Sequence, residues 1–327
     1  MTGNRLLDAL AGHFAGGGAF FTACGLLLAA VGLRLAAGFV RGESAGRRAE
    51  RLSHVGALLA VLGTVVLCFS ADPLPRWWYG FVFCATAWWA FASRPTWPAG
   101  WRYGSAATLA ALLLWGVGWE LTWRLGPTIP PVAERELVVV GDSLTAGVGG
   151  EAARWPDLLE RTHNLPVVVR AVPGATVADP LAGSGWDVPE TGGVLLLELG
   201  GNDMLGGTNL GAFRSDLRTL LERLKRKTAA RGGTVVAVGL PLPPFHGAYG
   251  RAQRAACQQA DVPLIPRHVL ADVLFAPHAT TDGLHLSPTG HDAMAAAMWD
   301  VVGEALPQAS GGREPSEGLE AGEDTAG

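Results

Sequence analysis

Residues 138–147 read Val138-Val-Val-Gly-Asp-Ser-Leu-Thr-Ala-Gly147. Three consecutive valines closed by a glycine suit a short strand buried on both faces, the kind found in parallel sheets covered by helices. In such sheets ligands bind beyond the carboxyl ends of the strands. Gly141-Asp142-Ser143 leaves the strand at that edge, and Gly147, Gly149 and Gly150 loosen the loop that follows. Ser143 in this place reads as a nucleophile. A turn or N-cap serine is the plainer alternative. A phosphate cradle is a third, but the lysine of G-x-x-x-x-G-K-[ST] is absent, and no G-x-G-x-x-G is followed by the expected acid.

Outward from this block the same texture runs over about Glu134–Leu306. Short β-branched runs (Leu137–Val140, Pro166–Ala171, Val194–Leu199, Thr234–Val238, Val262–Ile265) alternate with helical patterns. One pattern sets Phe213, Leu217, Leu220, Leu221 and Leu224 on a single face; another does so with Met294, Met298, Val301 and Val302. Both stripes read as core. The alternation predicts an α/β domain with a five-stranded parallel sheet.

Residues 1–125 are different. Four apolar runs, Phe14–Leu33, Val55–Ala71, Trp77–Ser93 and Ser105–Trp123, each have about the length a helix needs to cross a hydrocarbon core. They predict an all-α region of four transmembrane helices. A cleaved signal peptide does not fit, because the first run is long and three more follow. Nine of the 12 Trp fall between Trp77 and Trp123, and Trp77, Trp78, Trp97, Trp101 and Trp123 stand at run ends, where interfacial aromatic belts form. The connections carrying Arg41, Arg47, Arg48, Arg51, Arg94 and Arg102 are richer in arginine than the other side, which has Arg5, Arg76 and Arg124. The richer loops belong in the cytoplasm, with Arg34 snorkelling to the same side. Everything after Trp123 is then extracytoplasmic. Glu120, one turn from the end of its span, reads as interfacial rather than as a proton relay. Residues 126–133 form a Pro-rich linker, and 307–327 an acidic, Gly-rich tail expected to be disordered.

Composition sets outer bounds. The 327 residues are 17% charged, the mean hydropathy is +0.25 and the net charge is −4. No basic surface is available to neutralise phosphates, so nucleic acid is excluded as a partner. The four Cys are scattered without a C-x-x-C pair, and no His/Cys/carboxylate cluster suggests a metal.

Three further segments carry candidate chemistry. In Leu197-Glu-Leu-Gly-Gly-Asn-Asp203 a strand enters a Gly-rich turn. Asn202 there could donate to an oxyanion or be an ordinary turn residue. In Asp282-Gly-Leu-His285 the acid three residues before a histidine can bond one ring nitrogen and leave the other free to take a proton. A surface loop histidine is the plainer reading. His278 and His291 have no acid at that spacing. In Val172-Pro-Gly-Ala175, Gly174 could offer its N–H to an oxyanion or simply make a turn.

Together these four blocks resemble the SGNH (GDSL-type) hydrolase superfamily, over about residues 134–306 and nowhere in the first 125. Glu198-Leu-Gly-Gly-Asn-Asp203 and Trp155-Pro-Asp-Leu-Leu159 look like its bacterial arylesterase, acyl-thioesterase and lysophospholipase branch. The resemblance implies a flavodoxin-like three-layer sandwich. It implies Ser143 as nucleophile, His285 as general base and then acid, and Asp282 orienting His285. The oxyanion hole would be the N–H groups of Ser143 and Gly174 with the Asn202 side chain, and no metal or cofactor is called for. Asp142 is given no catalytic role. One departure concerns the position four before Gly174, where the family often has Asn and this chain has Arg170.

The expected function is therefore a membrane-anchored serine ester hydrolase acting on a small-molecule or lipid acyl ester. An extracytoplasmic site makes coenzyme A thioesters poor physiological substrates. Leu242, Phe245 and Tyr249, in an apolar Pro-stiffened stretch after the fourth strand, are candidate acyl-groove residues, with a plain loop as the alternative. Two other functions stay open. One is an O-deacetylase or acetyltransferase on envelope polysaccharide. The other is a non-enzymatic membrane scaffold, against which the intact five-residue set speaks.

Overall fold

The computed structural model describes residues 5–40, 45–94, 96–149, 151–183 and 185–308. Arg41, Gly150 and nearly all of the acidic tail, from residue 309 on, lie outside the described residues.

Five helices come first: α1 (Arg5–Ala15), α2 (Gly18–Ala37), α3 (Ala45–Phe69), α4 (Arg76–Ala92) and α5 (Ala99–Arg124). The first apolar run does not form one helix from Phe14. It breaks at Gly16-Gly17, where Gly17 takes φ +88°, a conformation that disfavours side chains, and α2 starts at Gly18. The segment before the break is a separate amphipathic helix, α1. Three helices, α2, α3 and α5, are long and apolar enough to cross a membrane, against the four that the apolar runs predict. α4 has 17 residues, or about 25 Å, and falls at the short end of the spanning range.

The bundle has its own core, including Phe20, Leu27, Trp78, Val82, Leu109 and Leu113. Trp78 does not join an interfacial belt. It is fully buried, its Nε1 donating to the Leu112 carbonyl at 3.0 Å, in space that the missing side chain of Gly116 leaves open. Trp77 and Trp101 do face outward. Arg34 donates to Ser93 Oγ at the end of α4 and lies over the Trp89 ring, which ties α2 to α4.

The second unit continues as β1 (Leu137–Gly141), α6 (Ser143–Ala146), α7 (Trp155–His163), β2 (Val167–Ala171), α8 (Asp179–Ala182), β3 (Val194–Glu198), α9 (Gly201–Gly206), α10 (Leu210–Ala229), β4 (Thr234–Val238), α11 (Gly247–Ala260), β5 (Leu264–Ile265), α12 (Arg267–Leu274) and α13 (Pro288–Val302). All strands are parallel, in the order β2-β1-β3-β4-β5. This is the doubly wound, flavodoxin-like order, whose chain reverses direction between β1 and β3.

Period-two alternation sends the strand residues into two cores. Val138, Val140, Leu195 and Leu197 meet α10 and α11 on one face. Leu137, Val139, Val194 and Leu196 meet α7, α12 and α13 on the other. The expected helical stripes supply those faces: Phe213, Leu217, Leu220, Leu221 and Leu224 are buried, as are Met294, Met298 and Val302. The fifth strand is only two residues long. Pro263 and Pro266 flank it, and proline cannot donate to a ladder, so pairing stops at both ends.

The Pro-rich segment after α5 is not a free spacer. Ile129 and Val132 are buried against the second core, and Val132 N–H donates to the Ala305 carbonyl at 2.9 Å.

Candidate active site

Register decides what meets at the sheet edge. Gly141 pairs with Ala171 on one side and with Glu198 on the other. The chain therefore leaves three adjacent strands at one level, as Asp142-Ser143, Val172-Pro-Gly174 and Leu199-Gly-Gly-Asn202. The switch between β1 and β3 lies in the middle of this group, where doubly wound sheets bind ligands.

Ser143 opens the short α6, with Asp142 as its N-cap: Asp142 Oδ1 accepts from Leu144 N–H at 3.0 Å. As the first helical residue, Ser143 has a backbone N–H without an intrahelical acceptor, and it has no other partner among the described residues. The Gly174 N–H is likewise without a partner among the described residues. Gly174 takes φ +80° in the turn closed by Ala175 N–H to the Val172 carbonyl.

Asn202 sits in the first turn of α9, behind Gly200, whose φ of +114° lets the chain turn sharply off β3. Its Nδ2 donates to Asp142 Oδ2 and to the Ala175 carbonyl, both at 3.0 Å. Both amide protons are thus engaged, and the side chain ties the serine loop to the Gly174 loop.

Asp282 and His285 lie in one turn before α13. His285 Nδ1 is 2.7 Å from Asp282 Oδ2, while Asp282 Oδ1 accepts from the backbone N–H groups of Leu284 and His285. Those three bonds, the His285 backbone first, hold the Asp282 carboxyl well below the usual carboxylate range. The carboxylate is therefore ionised across the neutral range and fixes Nδ1 as the protonated nitrogen.

Beneath this surface lies a group that the sequence motifs did not single out. Glu198, at the end of β3, is buried, and its Oε2 accepts from Thr145 Oγ1 at 2.9 Å and from Asp142 N–H at 3.4 Å. Burial, then the neighbouring Asp142 carboxylate, pushes the Glu198 carboxyl well up. Burial also raises Asp142, to about 6, against the opposing pull of Leu144 N–H and His285. Glu198 is accordingly the protonated member of the pair. Gly141 makes room for it: a Cβ there would stand 3.0 Å from Glu198 Oε2 and 2.7 Å from Thr145 Cβ. The available signal was an acid closing the apolar run Val194-Leu-Leu-Leu-Glu198.

Of the three candidate groove residues, Leu242 and Tyr249 are buried in one core cluster and Phe245 is exposed. Leu242 is buried, and its N–H donates to the Ala15 carbonyl at the end of α1. Tyr249 is buried against Phe213, with its hydroxyl donating to the Thr208 carbonyl. Phe245 is exposed and touches Phe69 at the end of α3. The first two are drawn inward because apolar surface of β4 and the bundle covers the stretch. Arg170, at the position where the family often has Asn, turns away and donates to the Asp187 carbonyl at 2.7 Å.

The parallel sheet, the serine at its switch point and the Asp–His turn define the class: an ester-bond hydrolase domain of the GDSL type. Residues 139–293 match the family described as GDSL-like Lipase/Acylhydrolase, and the chain carries a domain of that family. Over 182 residues, 52% of this chain and 89% of the relative, it is 27% identical to the esterase TesA of Pseudomonas aeruginosa. A crystal structure of TesA covers 52% of this chain and 99% of its own, with 26% identity and a TM-score of 0.44. The psychrotrophic esterase EstA from Pseudoalteromonas sp. covers 52% and 98%, with 17% identity and a TM-score of 0.45. The family match starts at Val139, beyond the last bundle helix.

Proposed function

We propose that this chain is a membrane-anchored serine hydrolase of acyl esters, with Ser143, His285 and Asp282 as its triad. The observations that carry the reading are the Asp282–His285 pair at 2.7 Å and Ser143 opening a helix at the carboxyl edge of the sheet. Serine is a poor nucleophile until a base takes its proton. With Nδ1–H committed to Asp282, His285 offers Nε2 as that base. Ser143 Oγ attacks the acyl carbonyl, and His285 then protonates the leaving alcohol. Water, deprotonated by the same nitrogen, releases the acid. The N–H groups of Ser143 and Gly174 supply two donors for the oxyanion. Asn202 supplies a third by releasing or sharing one of its two bonds as substrate enters.

The outward faces of the bundle support anchoring. Leu58, Val61, Leu62, Phe81 and Leu114 are among many large apolar side chains exposed there, far more than a soluble surface carries. Arg47, Arg48 and Arg51 in the first turns of α3, Arg94 after α4 and Arg102 in the first turn of α5 stand at the opposite end of the bundle from Gly17 and Asp72, which meet the hydrolase domain at Arg267. By the positive-inside rule the domain is then extracytoplasmic. Lipid or envelope-borne acyl esters are the substrate class that such a site meets.

The test is made on the full-length chain in detergent, because its two units share buried ion pairs. p-Nitrophenyl esters from acetyl to palmitoyl are hydrolysed by the wild type. Ser143→Ala loses both this activity and labelling by a fluorophosphonate probe. Equal rates for wild type and mutant, with no labelling at Ser143, overturn the assignment.

A further inference from the structure

We infer that the catalytic mouth of the hydrolase domain is seated on the bilayer in which the bundle stands, so that substrate enters from the lipid surface. This rests on the anchored reading above and adds an orientation to it.

The bundle meets the domain at the carboxyl edge of its sheet. The α3–α4 connection packs there: Asp72 pairs with Arg267 directly after β5, and the Leu74 carbonyl accepts from Arg251 of α11. The end of α1 bonds Leu242 beyond β4. The helix ends at Gly18, Phe69 and Arg76 therefore stand on the β4–β5 side of the edge that carries Ser143, Gly174 and Asn202 on its β1–β3 side. Rigid seating follows from burial: the Arg267–Asp72 and Arg254–Glu120 side chains are at most 11% exposed.

Exposed apolar residues follow the same edge. Among the described residues of 134–306, the large hydrophobic side chains left exposed are Val148, Val172, Leu205, Phe245 and Leu284. Val148 follows the Ser143 helix, Val172 precedes Gly174, Leu205 shares α9 with Asn202, and Leu284 lies between Asp282 and His285. Phe245 reaches Phe69 at the end of α3, with ring centroids 5.4 Å apart, and so joins this rim to a spanning helix. Among the described residues, no such side chain is exposed at the opposite edge or on the outer faces of α7, α10 or α13.

A second apolar strip flanks the bundle. α1 packs on α12, with the Cβ position of Gly12 against Phe275. It leaves Leu6, Leu7 and Leu10 exposed along one face. A short amphipathic helix joined by a tight turn to a spanning helix lies in the interface plane. Both strips are thus offered at the level where the helices emerge, and the occupant that covers both at once is the bilayer itself.

The test uses the full-length chain with its exposed Cys68 and Cys84 replaced by Ala, reconstituted in phosphatidylethanolamine–phosphatidylglycerol vesicles. Nitroxide labels are placed singly at Val172→Cys, Leu205→Cys, Leu114→Cys on the outer face of α5, and Arg226→Cys near the far edge of the sheet. Accessibility to dissolved oxygen and to a water-soluble nickel chelate is read for each. The expected result is that labels at 172 and 205 are shielded from nickel and reached by oxygen, as at 114, while 226 is wet. If 114 is shielded but 172 and 205 are as wet as 226, the seated mouth is overturned and anchoring stands. If 114 is also wet, anchoring falls and takes the inference with it. Kinetics supply a second measurement. Leu6→Asp/Leu10→Asp, on α1 and outside the site, keeps wild-type hydrolysis of dissolved p-nitrophenyl acetate. Its hydrolysis of lipid esters in vesicles falls about tenfold or more, the partitioning weight of one buried leucine. Equal losses on both substrates contradict the inference.

Discussion

Arg254 offers the sharpest perturbation of the contact between bundle and hydrolase domain. Its Nη1 and Nη2 each stand 2.7 Å from one oxygen of Glu120, and the two side chains are 11% and 4% exposed. The guanidinium also lies 4.6 Å from the Trp123 ring centroid. Arg254→Met keeps most of the volume but leaves the Glu120 carboxylate buried without a partner. Removing one member of such a pair costs about 3–5 kcal/mol, and the lost ring contact adds about 1 kcal/mol. At about 1.4 kcal/mol per tenfold, opening of the interface becomes easier by at least about 10². Replacing both members, as Glu120→Leu/Arg254→Met, removes the stranded charge and should recover most of that loss, because apolar isosteres of a buried pair are close to neutral. Hydrogen exchange of the full-length chain in detergent reads this locally. Amides of α11 and of residues 125–133 lose protection in the single mutant and regain it in the double mutant. Wild-type protection in Arg254→Met, or a double mutant as labile as the single, would refute the reasoning.

Two further outcomes concern the buried carboxyl pair and the amide above it. Glu198→Gln, which copies the protonated acid, keeps most activity, whereas Glu198→Ala strands the donors of Thr145 and Asp142, at about 1–3 kcal/mol each, and lowers both melting temperature and kcat. Because Asp142 is raised from about 3.9 unfolded to about 6 folded, the pair's contribution to stability is fully present below pH about 4 and is lost as pH rises through about 6. Glu198→Gln has no proton to hold at position 198, whereas burial raises the Glu198 carboxyl in wild type, so the mutant's melting temperature should match wild type near pH 4 and exceed it increasingly as pH rises; a wild type that gains on the mutant with rising pH contradicts the assignment. Asn202→Ala should lower kcat by about 10²–10³ with little change in KM, as for loss of one oxyanion donor. A change confined to KM in steady-state assays would assign Asn202 to binding instead.

Much of the hydrolase domain was legible because its signals are short. A strand such as Leu137–Gly141 declares itself by its own valines, and the α10 stripe by its own periodicity. Asp282 and His285 are three residues apart in one turn, so their pairing needed no knowledge of the rest of the chain. The apolar runs of the first 125 residues were visible in the same way, apart from the break at Gly16-Gly17, which apolar content alone passes over. What no window along the chain contains are partners brought together by packing. Glu120 reads as a residue near a helix end, yet it is buried against Arg254, 134 positions away. Asp72 finds Arg267 at a separation of 195. Glu198 looks like the polar end of a strand until the register sets it beside Gly141 and under Asp142. Trp78 looks like a belt residue until Gly116 of another helix opens a place for it. Propensity, periodicity and short-range hydrogen bonding write the elements and the local chemistry into the chain. How the two units lock is set only by packing, because a buried charge is tolerable only where distant segments deliver its partner.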